Sequence, residues 1–299
     1  MPIDNFEEFE IHTGEARVFV SAHGQGPPLL LLHGFPQTHL MWREVAPQLA
    51  RDFTVVCADL RGYGRSECPA STADHAPYSK RAMARDLVAV MQQLGFPRFS
   101  LAGHDRGARV AYRLAFDHPT VVHRLAVLDV VPTATVWDEA DDRFALAYWP
   151  WTLLAQPEPL PERILTEMAD AIVDAALGGW GTPASVFPPA VRDAYVAAVR
   201  APGHAHAICE EYRAAASLDR VHDAADRAAQ RRITAPLLVL WSARGAVGDW
   251  YTARGGPIAL WKEWAENVRG QALEAGHFFP EELPDQTFAA LTRFFSSDS

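Results

Sequence analysis

Apolar and polar positions alternate in two different rhythms along the first 130 residues. Residues 16–22 alternate one by one, which is typical of a half-buried strand, and residues 28–32 form a short apolar run, which is typical of a strand buried on both faces. Ser79 is suited to cap a helix running to Leu94, with apolar residues on one face. Further strands are predicted at 53–58, 99–102, 122–128, 236–241 and 269–273, and helical spacing at 42–49. Strands that alternate with helices predict an α/β fold, a mostly parallel sheet with helices on both faces.

This rhythm breaks in the middle of the chain. Residues 131–230 have no strong strand pattern, are rich in Ala, Trp and Pro, and indicate several helices. The strand pattern returns at 236–241. We therefore expect an α/β core formed by residues 1–130 and 231–299, with an inserted helical cap at 131–230.

Composition narrows the class of protein. The 299 residues are 49% hydrophobic, enough for a large core, and 27 Lys and Arg against 37 Asp and Glu give a net charge of −10. Such a chain repels phosphate backbones, so no nucleic-acid partner is expected. Neither a membrane span nor the order of a signal peptide is visible near the start, so no membrane partner is expected. Cys57, Cys68 and Cys209 form no CxxC pair, and we expect reduced thiols and a cytoplasmic protein.

The most informative motif is G-x-D-x-G, which spans Gly103 to Gly107 around Asp105. It follows a predicted strand and precedes a helix that begins near Arg106, the context of a nucleophile elbow, where serine is usual. A carboxylate is already ionised at neutral pH, and it can displace a leaving group from an sp³ carbon to form an ester. The simpler alternative is that Asp105 only caps the helix.

Two other motifs support a catalytic elbow. His33-Gly34-Phe35-Pro36 follows a buried strand, and the N–H groups of Phe35 and Arg106 are suited to form an oxyanion hole. His277, in Gly-His-Phe-Phe after the last predicted strand, occupies the place of the general base.

The base needs an acid at the end of a strand. Asp129 ends the apolar run 125–128 and is our preferred triad acid. Asp249, which follows the strand at 236–241, is the alternative.

With these motifs and the inserted cap, the chain resembles the α/β-hydrolases of the haloalkane dehalogenase and epoxide hydrolase type over nearly its whole length. The segments His104–Arg109, 128–133, 155–159 and 211–216 more narrowly resemble the fluoroacetate (haloacetate) dehalogenases. The resemblance implies hydrolytic dehalogenation of short 2-haloacids without a metal or other cofactor, and it implies a homodimer. No metal-ligand spacing is visible in the sequence.

The pair Arg106 and Arg109 is the specific part of this resemblance, because epoxide hydrolases and haloalkane dehalogenases usually carry Trp directly after the nucleophile. Residues three apart share a helix face. Two guanidinium groups beside a nucleophilic carboxylate suit a substrate that is itself a carboxylate. The alternative is that Arg106 pairs with an acid of the cap and Arg109 lies on the surface.

The resemblance also implies a halide site, which departs from the family in one position. Trp151 and Tyr212 match the family's tryptophan and tyrosine donors, but Pro150 stands where the family has histidine. Proline has no N–H to donate, so activity on fluoroacetate is in question. His204 or His206 is a possible replacement donor.

Two other functions fit the same motifs. An epoxide hydrolase uses the same Asp–His–acid set together with cap tyrosines, here Tyr212 and Tyr148. A non-catalytic binding protein of this fold would keep Asp105, His277 and Asp129 only as relics. The fold alone does not choose among these functions.

Overall fold

Eight strands form one sheet in the computed structural model, which describes residues 2–297. The strands are β1 (Glu7–His12), β2 (Arg17–His23), β3 (Pro28–Leu32), β4 (Thr54–Ala58), β5 (Phe99–His104), β6 (Val122–Leu128), β7 (Leu237–Ser242) and β8 (Val268–Leu273). Their order is β1-β2-β4-β3-β5-β6-β7-β8. The pairs β1–β2 and β2–β4 are antiparallel, and all other pairs are parallel. The α/β class predicted from the sequence is confirmed.

Helices connect the strands and fill the interval between β6 and β7. The α-helices are α1 (Ala46–Leu49), α2 (Lys80–Gln93), α3 (Arg106–Asp117), α4 (Thr133–Asp138), α5 (Asp142–Ala147), α6 (Trp149–Leu153), α7 (Leu160–Glu167), α8 (Ala169–Gly179), α9 (Pro189–Arg200), α10 (His204–Ala216), α11 (Leu218–Ala228), α12 (Ala246–Trp250), α13 (Gly256–Lys262), α14 (Phe279–Glu282) and α15 (Pro284–Phe295). Short 3₁₀ helices lie at His39–Trp42, Ala76–Tyr78, Ala184–Val186 and Thr252–Arg254.

The apolar pattern explains why the centre of the sheet is buried. Every residue of Leu29 to Leu32 in β3 is fully buried, so both faces of that strand are covered. Helix α2 begins where predicted, and the Ser79 hydroxyl accepts a hydrogen bond from the Ala82 N–H at 3.3 Å.

Two local features differ from the sequence-based prediction. The helical spacing at 42–49 gives only a 3₁₀ turn and the four-residue α1, because Pro47 lacks an N–H and its ring is tolerated only at the start of a helix. Strand β1 was not predicted. It is an edge strand of alternating polar composition in which only Ile11 is buried.

Helices α4 to α11 form the segment that the sequence analysis proposed as a cap. Helix α10 packs against α7, α9 and α11, so these helices contact one another as well as the loops and helices around the sheet. We call the segment from α4 to α11 the helical layer. The exact division into core and cap stays a prediction. Within residues 2–297, no helix has both the length and the apolar character needed to cross a membrane.

The parallel strands place the predicted motifs at one edge of the sheet. Phe35 follows β3, Asp105 follows β5, Asp129 follows β6 and His277 follows β8. Carboxyl ends of parallel strands meet at the same edge, where ligands bind in open α/β sheets. Residues far apart in the chain therefore meet there.

Candidate active site

Asp105 is the single residue between the end of β5 and the start of α3, and it forms a sharp turn. Its backbone has φ 47° and ψ −113°, a strained conformation for a residue with a side chain. The turn is tight enough that a Cβ on Gly103 would lie 2.5 Å from the carbonyl carbon of Gly107. The two glycines of the motif therefore let strand and helix approach, and the turn presents the carboxylate as a nucleophile elbow does.

The loop after β3 holds one oxygen of that carboxylate. The Phe35 N–H donates to Asp105 Oδ1 at 2.9 Å. A Cβ on Gly34 would lie 2.5 Å from the Asp105 Cβ, so a glycine is needed for this approach. The Arg106 N–H is the first of α3 and has no acceptor within the helix. Two N–H groups are thus available beside Asp105, as an oxyanion hole requires.

His277 and Asp129 form a buried pair. The His277 Nδ1 lies 2.6 Å from Asp129 Oδ2, and the Ser242 N–H donates to Asp129 Oδ1 at 2.8 Å. The backbone N–H of His277 donates to the backbone carbonyl of Trp180 at 2.8 Å, and this bond fixes the loop that carries the imidazole ring. Asp249, the alternative acid, is exposed on α12. The carboxylate that the structure brings to His277 is that of Asp129.

Neighbouring charges keep Asp105 ionised. Burial alone would raise its pKa, but His277, Arg106 and Arg109 outweigh that effect, and the pKa of Asp105 is lowered. Burial, reinforced by His277, lowers the pKa of His104 to about 3, so this ring is neutral at neutral pH. The site therefore holds a carboxylate in the form that attacks carbon.

Arg109 is buried, contrary to the alternative that placed it on the surface. Its Nη1 donates to the Val131 carbonyl at 3.0 Å and to the Thr133 hydroxyl at 3.2 Å. Its Nε is buried and has no hydrogen-bond partner among residues 2–297. Burial, together with Arg106, lowers the pKa of Arg109. A buried donor without a partner is rare in proteins and indicates a place for a ligand.

Arg106 is paired with an acid of the helical layer, as the alternative in the sequence analysis anticipated. Its Nε donates to both oxygens of Glu211 at 2.9 Å, and its Nη2 donates to Glu211 Oε1 at 2.5 Å. Both side chains are fully buried. The remaining nitrogen, Nη1, is buried and has no partner within the described part of the chain.

Trp151 and Tyr212 lie against the two arginines. The guanidinium carbons of Arg106 and Arg109 lie 4.9 Å and 4.4 Å from the centre of the Trp151 ring. The Arg106 guanidinium also lies 4.0 Å from the centre of the Tyr212 ring. The structure thus brings together both predicted halide-site aromatics and both predicted carboxylate-binding arginines.

A small cavity joins the nucleophile to Arg109 and Trp151, whereas Tyr212 does not line it. The space in which the centre of a water molecule fits is about 20 Å³, slightly more than a single water molecule requires. Its polar wall is formed by Asp105, Arg109 and Asp129, and its aromatic wall by Phe144, Tyr148, Trp151, Trp250 and Tyr251. The Arg106 guanidinium is not part of this wall. The cavity suits a ligand of very few atoms.

Pro150 is buried in the first turn of α6, directly before Trp151. Neither proposed replacement donor lies in the wall of the cavity. The His206 Nε2 is 2.9 Å from the Ser71 hydroxyl, and the His204 Nδ1 is 3.3 Å from the Pro202 carbonyl. The missing histidine therefore has no substitute from these two residues.

Sequence reasoning missed several residues of the site. Ser242 and Glu211 act on Asp129 and Arg106 from 113 and 105 positions away, and no local pattern indicates such a contact. Tyr251 lines the cavity from the segment after α12. The only available signal for Tyr251 was its place beyond the carboxyl end of β7.

One group of residues within 2–297 has metal-ligand spacing. Ligand atoms of Glu158, Glu162 and His206 lie within 4.8 Å of one another. Arg213 Nη1 lies 2.6 Å from Glu162 Oε1 and already supplies a cation there. None of the three residues lines the cavity beside Asp105.

Comparisons with known proteins agree with this geometry. The family model of the alpha/beta hydrolase fold matches residues 27–282. A fluoroacetate dehalogenase from Burkholderia sp is 42% identical over 294 residues, which cover 98% of this chain and 95% of that protein. A soluble epoxide hydrolase from Corynebacterium sp. (strain C12) is 32% identical, with 91% of each chain covered. A solved structure from Nostoc sp PCC 7120, described as an alpha/beta hydrolase, superposes with a TM-score of 0.95 at 46% identity, covering 99% of this chain and 100% of that one.

The chain therefore belongs to the α/β-hydrolase family and is a hydrolase. Its similarity to a fluoroacetate dehalogenase, expected from the motifs, is confirmed over almost the entire length. The epoxide hydrolase relative shows that a second chemistry occurs among proteins of this similarity.

Proposed function

We propose that this protein hydrolyses short 2-haloacids such as haloacetate to 2-hydroxyacids and halide through an ester on Asp105. One observation carries the proposal: Asp105 and Arg109 line the same small cavity, and the Nε of Arg109 is buried without a hydrogen-bond partner among residues 2–297. A cation beside a carboxylate nucleophile lets a second carboxylate approach, because it offsets the repulsion between the two anions. The similarity to the Burkholderia fluoroacetate dehalogenase supports the same substrate class.

The first step is a displacement at carbon. The Phe35 N–H holds Asp105 Oδ1, which leaves Oδ2 to attack the α-carbon of the haloacid. The new bond joins Oδ2 to the α-carbon, the carbon–halogen bond breaks, and halide leaves with the bonding electrons toward Trp151 and Tyr212. The product of this step is an ester of Asp105 and the 2-hydroxyacid.

The second step is hydrolysis of that ester. His277, oriented by Asp129, accepts a proton from water, and the water oxygen attacks the side-chain carbonyl of Asp105. The charge that develops on Oδ1 is stabilised by the N–H groups of Phe35 and Arg106. Collapse of this intermediate breaks the bond between Cγ and Oδ2, and the proton held by His277 passes to Oδ2, which leaves as the hydroxyl oxygen of the 2-hydroxyacid, glycolate from haloacetate. The oxygen from water stays on Asp105, and loss of its remaining proton restores the carboxylate.

Epoxide hydrolysis is the second candidate, and one observation favours it. Tyr148 lines the cavity next to Asp105, so a hydroxyl donor for an epoxide oxygen is within the site. The pKa of Tyr148 is raised well above its ordinary value because of burial, so the hydroxyl keeps its proton. Arg109 argues against this candidate, since a neutral epoxide gains nothing from a buried guanidinium.

The test compares charged and neutral substrates that share one leaving group. We expect chloride release from chloroacetate, little release from chloroacetamide, and no diol from styrene oxide. Arg109→Leu removes a charge-assisted contact of about 1.5–3 kcal/mol, so kcat/KM for chloroacetate falls roughly 10- to 150-fold.

The result for chloroacetamide is the control within this experiment, because its α-carbon and leaving group match those of chloroacetate. An equal loss on both compounds would contradict a role of Arg109 in carboxylate binding. Diol formation without any chloride release would establish the epoxide hydrolase alternative instead.

A further inference from the structure

Glu211 is a fully buried carboxylate that takes no part in the two steps proposed above. It lies on α10 and accepts three hydrogen bonds from Arg106, two from Nε and one from Nη2. The Tyr63 hydroxyl donates to Glu211 Oε2 at 3.2 Å. The Lys80 Nζ contacts Glu211 Oε1 and also lies 3.5 Å from Asp219 Oδ2. An arginine and a lysine thus share one carboxylate away from water.

Burying such a cluster costs free energy unless its groups pair with one another in good hydrogen-bond geometry. The guanidinium of Arg106 is fixed on its Nε–Nη2 edge by Glu211 and on its face by the Tyr212 ring, whose centre lies 4.0 Å away. Planar two-point contacts of this kind fix orientation as well as charge. Arg106 is therefore held in one orientation from the side opposite Nη1.

The consequence is that Nη1 is the one nitrogen of the Arg106 guanidinium without a hydrogen-bond partner among residues 2–297. Arg109 shows the same arrangement, since the Val131 carbonyl and the Thr133 hydroxyl occupy its Nη1 while Nε stays unpartnered within residues 2–297. Both guanidinium groups lie against one ring, that of Trp151. Two buried donors without partners, close to the same ring, match the two oxygens of one carboxylate.

We propose that Glu211 is a positioning residue for Arg106, which it orients so that Nη1 binds a substrate carboxylate together with Nε of Arg109. The inference rests on the proposed function for the class of ligand. It adds that affinity for the carboxylate depends on a residue that never touches the substrate.

A positioning role and a purely electrostatic role of Glu211 predict different results for one substitution. Glu211→Asp keeps the charge but shortens the side chain by one methylene group, so it withdraws the carboxylate from Arg106. If Glu211 acts only through its charge, the affinity for an anion stays the same. If it acts by positioning, the orientation of Nη1 is lost and the affinity falls.

The experiment measures binding of acetate and acetamide by NMR titration to the full chain and to Glu211→Asp. Acetate lacks a leaving group, so binding is separated from turnover. We expect the dissociation constant of acetate to rise at least about tenfold, the effect of losing one charge-assisted hydrogen bond, and that of acetamide to change little. For chloroacetate we expect KM to rise more than kcat falls.

Glu210→Asp is the matched control. Glu210 is the preceding residue on α10 and is also buried, but its partners are Arg213, at 2.9 Å, and His75, at 2.8 Å. The same shortening there leaves Arg106 and Glu211 in place, so acetate binding stays at the level of the unmodified protein.

A second variant covers the case in which Glu211→Asp does not fold. Tyr63→Phe removes only the hydroxyl that donates to Glu211 Oε2, and we expect a smaller loss of acetate affinity, about two- to fivefold, with acetamide again unchanged. Acetate binding that is unchanged in whichever of the two variants folds, or lost equally for acetate and acetamide, would overturn the proposal.

The outcomes also separate this inference from the proposed function. Acetate binding that depends on Glu211, in a protein that does not turn over haloacids, would contradict the function and support the positioning role. Haloacid turnover with acetate affinity unchanged in Glu211→Asp would support the function and contradict the positioning role.

Discussion

At the scale of single residues, the identity of the elbow residue determines the reaction. In the proposed reaction the carboxylate of Asp105 attacks saturated carbon, whereas a serine at the same strained turn would attack a carbonyl group. We propose that the neighbouring Arg109 selects which molecules approach, because its buried guanidinium favours an anion. Two residues four positions apart on one turn and helix thus account for both the chemistry and the substrate class of the proposal.

In the proposed reaction, we expect Pro150 to affect which halide leaves most readily. Fluoride is strongly basic and hydrated, so its departure depends on hydrogen-bond donors more than that of chloride does. Loss of one such donor costs about 10²–10³ in rate in other hydrolases. We predict that chloroacetate is turned over faster than fluoroacetate, and that Pro150→His raises fluoride release while changing chloride release less.

The measurement is release of both halides from matched haloacetates by the two proteins. Pro150 lies in the first turn of α6, where a helix tolerates replacement of proline. Fluoroacetate turnover equal to or faster than chloroacetate turnover in the unmodified protein would refute the argument, because two aromatic donors would then be sufficient.

The individual residues differ in how far the sequence could reveal them. Asp105 and His277 could be predicted, because each lies in a short motif that directly follows an apolar strand. The choice between Asp129 and Asp249 needed the structure, because both follow strands and only Asp129 faces His277. Glu211 could not be found from sequence, since its contact with Arg106 depends on how α10 packs.

At the scale of elements, periodicity predicted most strands and the long helices. Strand β3 and strand β6 have the bounds predicted, because continuous or nearly continuous apolar runs end at clear turn residues. Pattern failed where an element is short or partly exposed. Pro47 prevents one continuous helix over residues 42–49 and lies instead in the first turn of α1, and β1 has one buried residue, too few to produce a signal.

Helix α14 carries a buried acid close to the catalytic loop. Glu281 accepts hydrogen bonds from Gln37 and Arg43, and from the Tyr195 hydroxyl of α9 at 3.1 Å. Burial raises the pKa of Glu281 to about 7, an effect that Arg43 only partly offsets. This carboxyl connects α9 of the helical layer with the loops that hold His277 and Phe35.

The raised pKa gives stability a defined dependence on pH. Between pH 4.5 and about 7 the folded protein binds the proton of Glu281 more tightly than the unfolded chain does, so the free energy of unfolding falls as pH rises. We predict that the unmodified protein loses stability relative to Glu281→Gln across this window, by up to about 1.4 kcal/mol per pH unit. Urea unfolding of both proteins at pH 5, 6 and 7 measures the difference, and a difference that stays constant or changes in the opposite direction would contradict the assignment.

At the scale of the whole molecule, the site lies between the edge of the sheet and the helices from α4 to α11. The loops after the strands supply the proposed nucleophile, base and acid, and the helical segment supplies Trp151, Tyr212 and Glu211. Parallel topology explains the first group, because the carboxyl ends of the strands must meet. No sequence rule specifies how the helices lie over the sheet, which is why the contacts between the two groups came only from the structure.

The proposed mechanism requires that Asp105 forms an ester that only His277 can hydrolyse. His277→Asn retains the nucleophile and lacks the base, so chloroacetate should leave a carboxymethyl group on Asp105. The double variant Asp105→Asn, His277→Asn is the control for modification elsewhere. Mass spectrometry of the peptide that contains residues 99–109 then shows whether Asp105 carries the carboxymethyl group. We predict the adduct in the single variant and none in the double variant; free turnover by His277→Asn, or no adduct with a substrate that the unmodified protein dechlorinates, would contradict it.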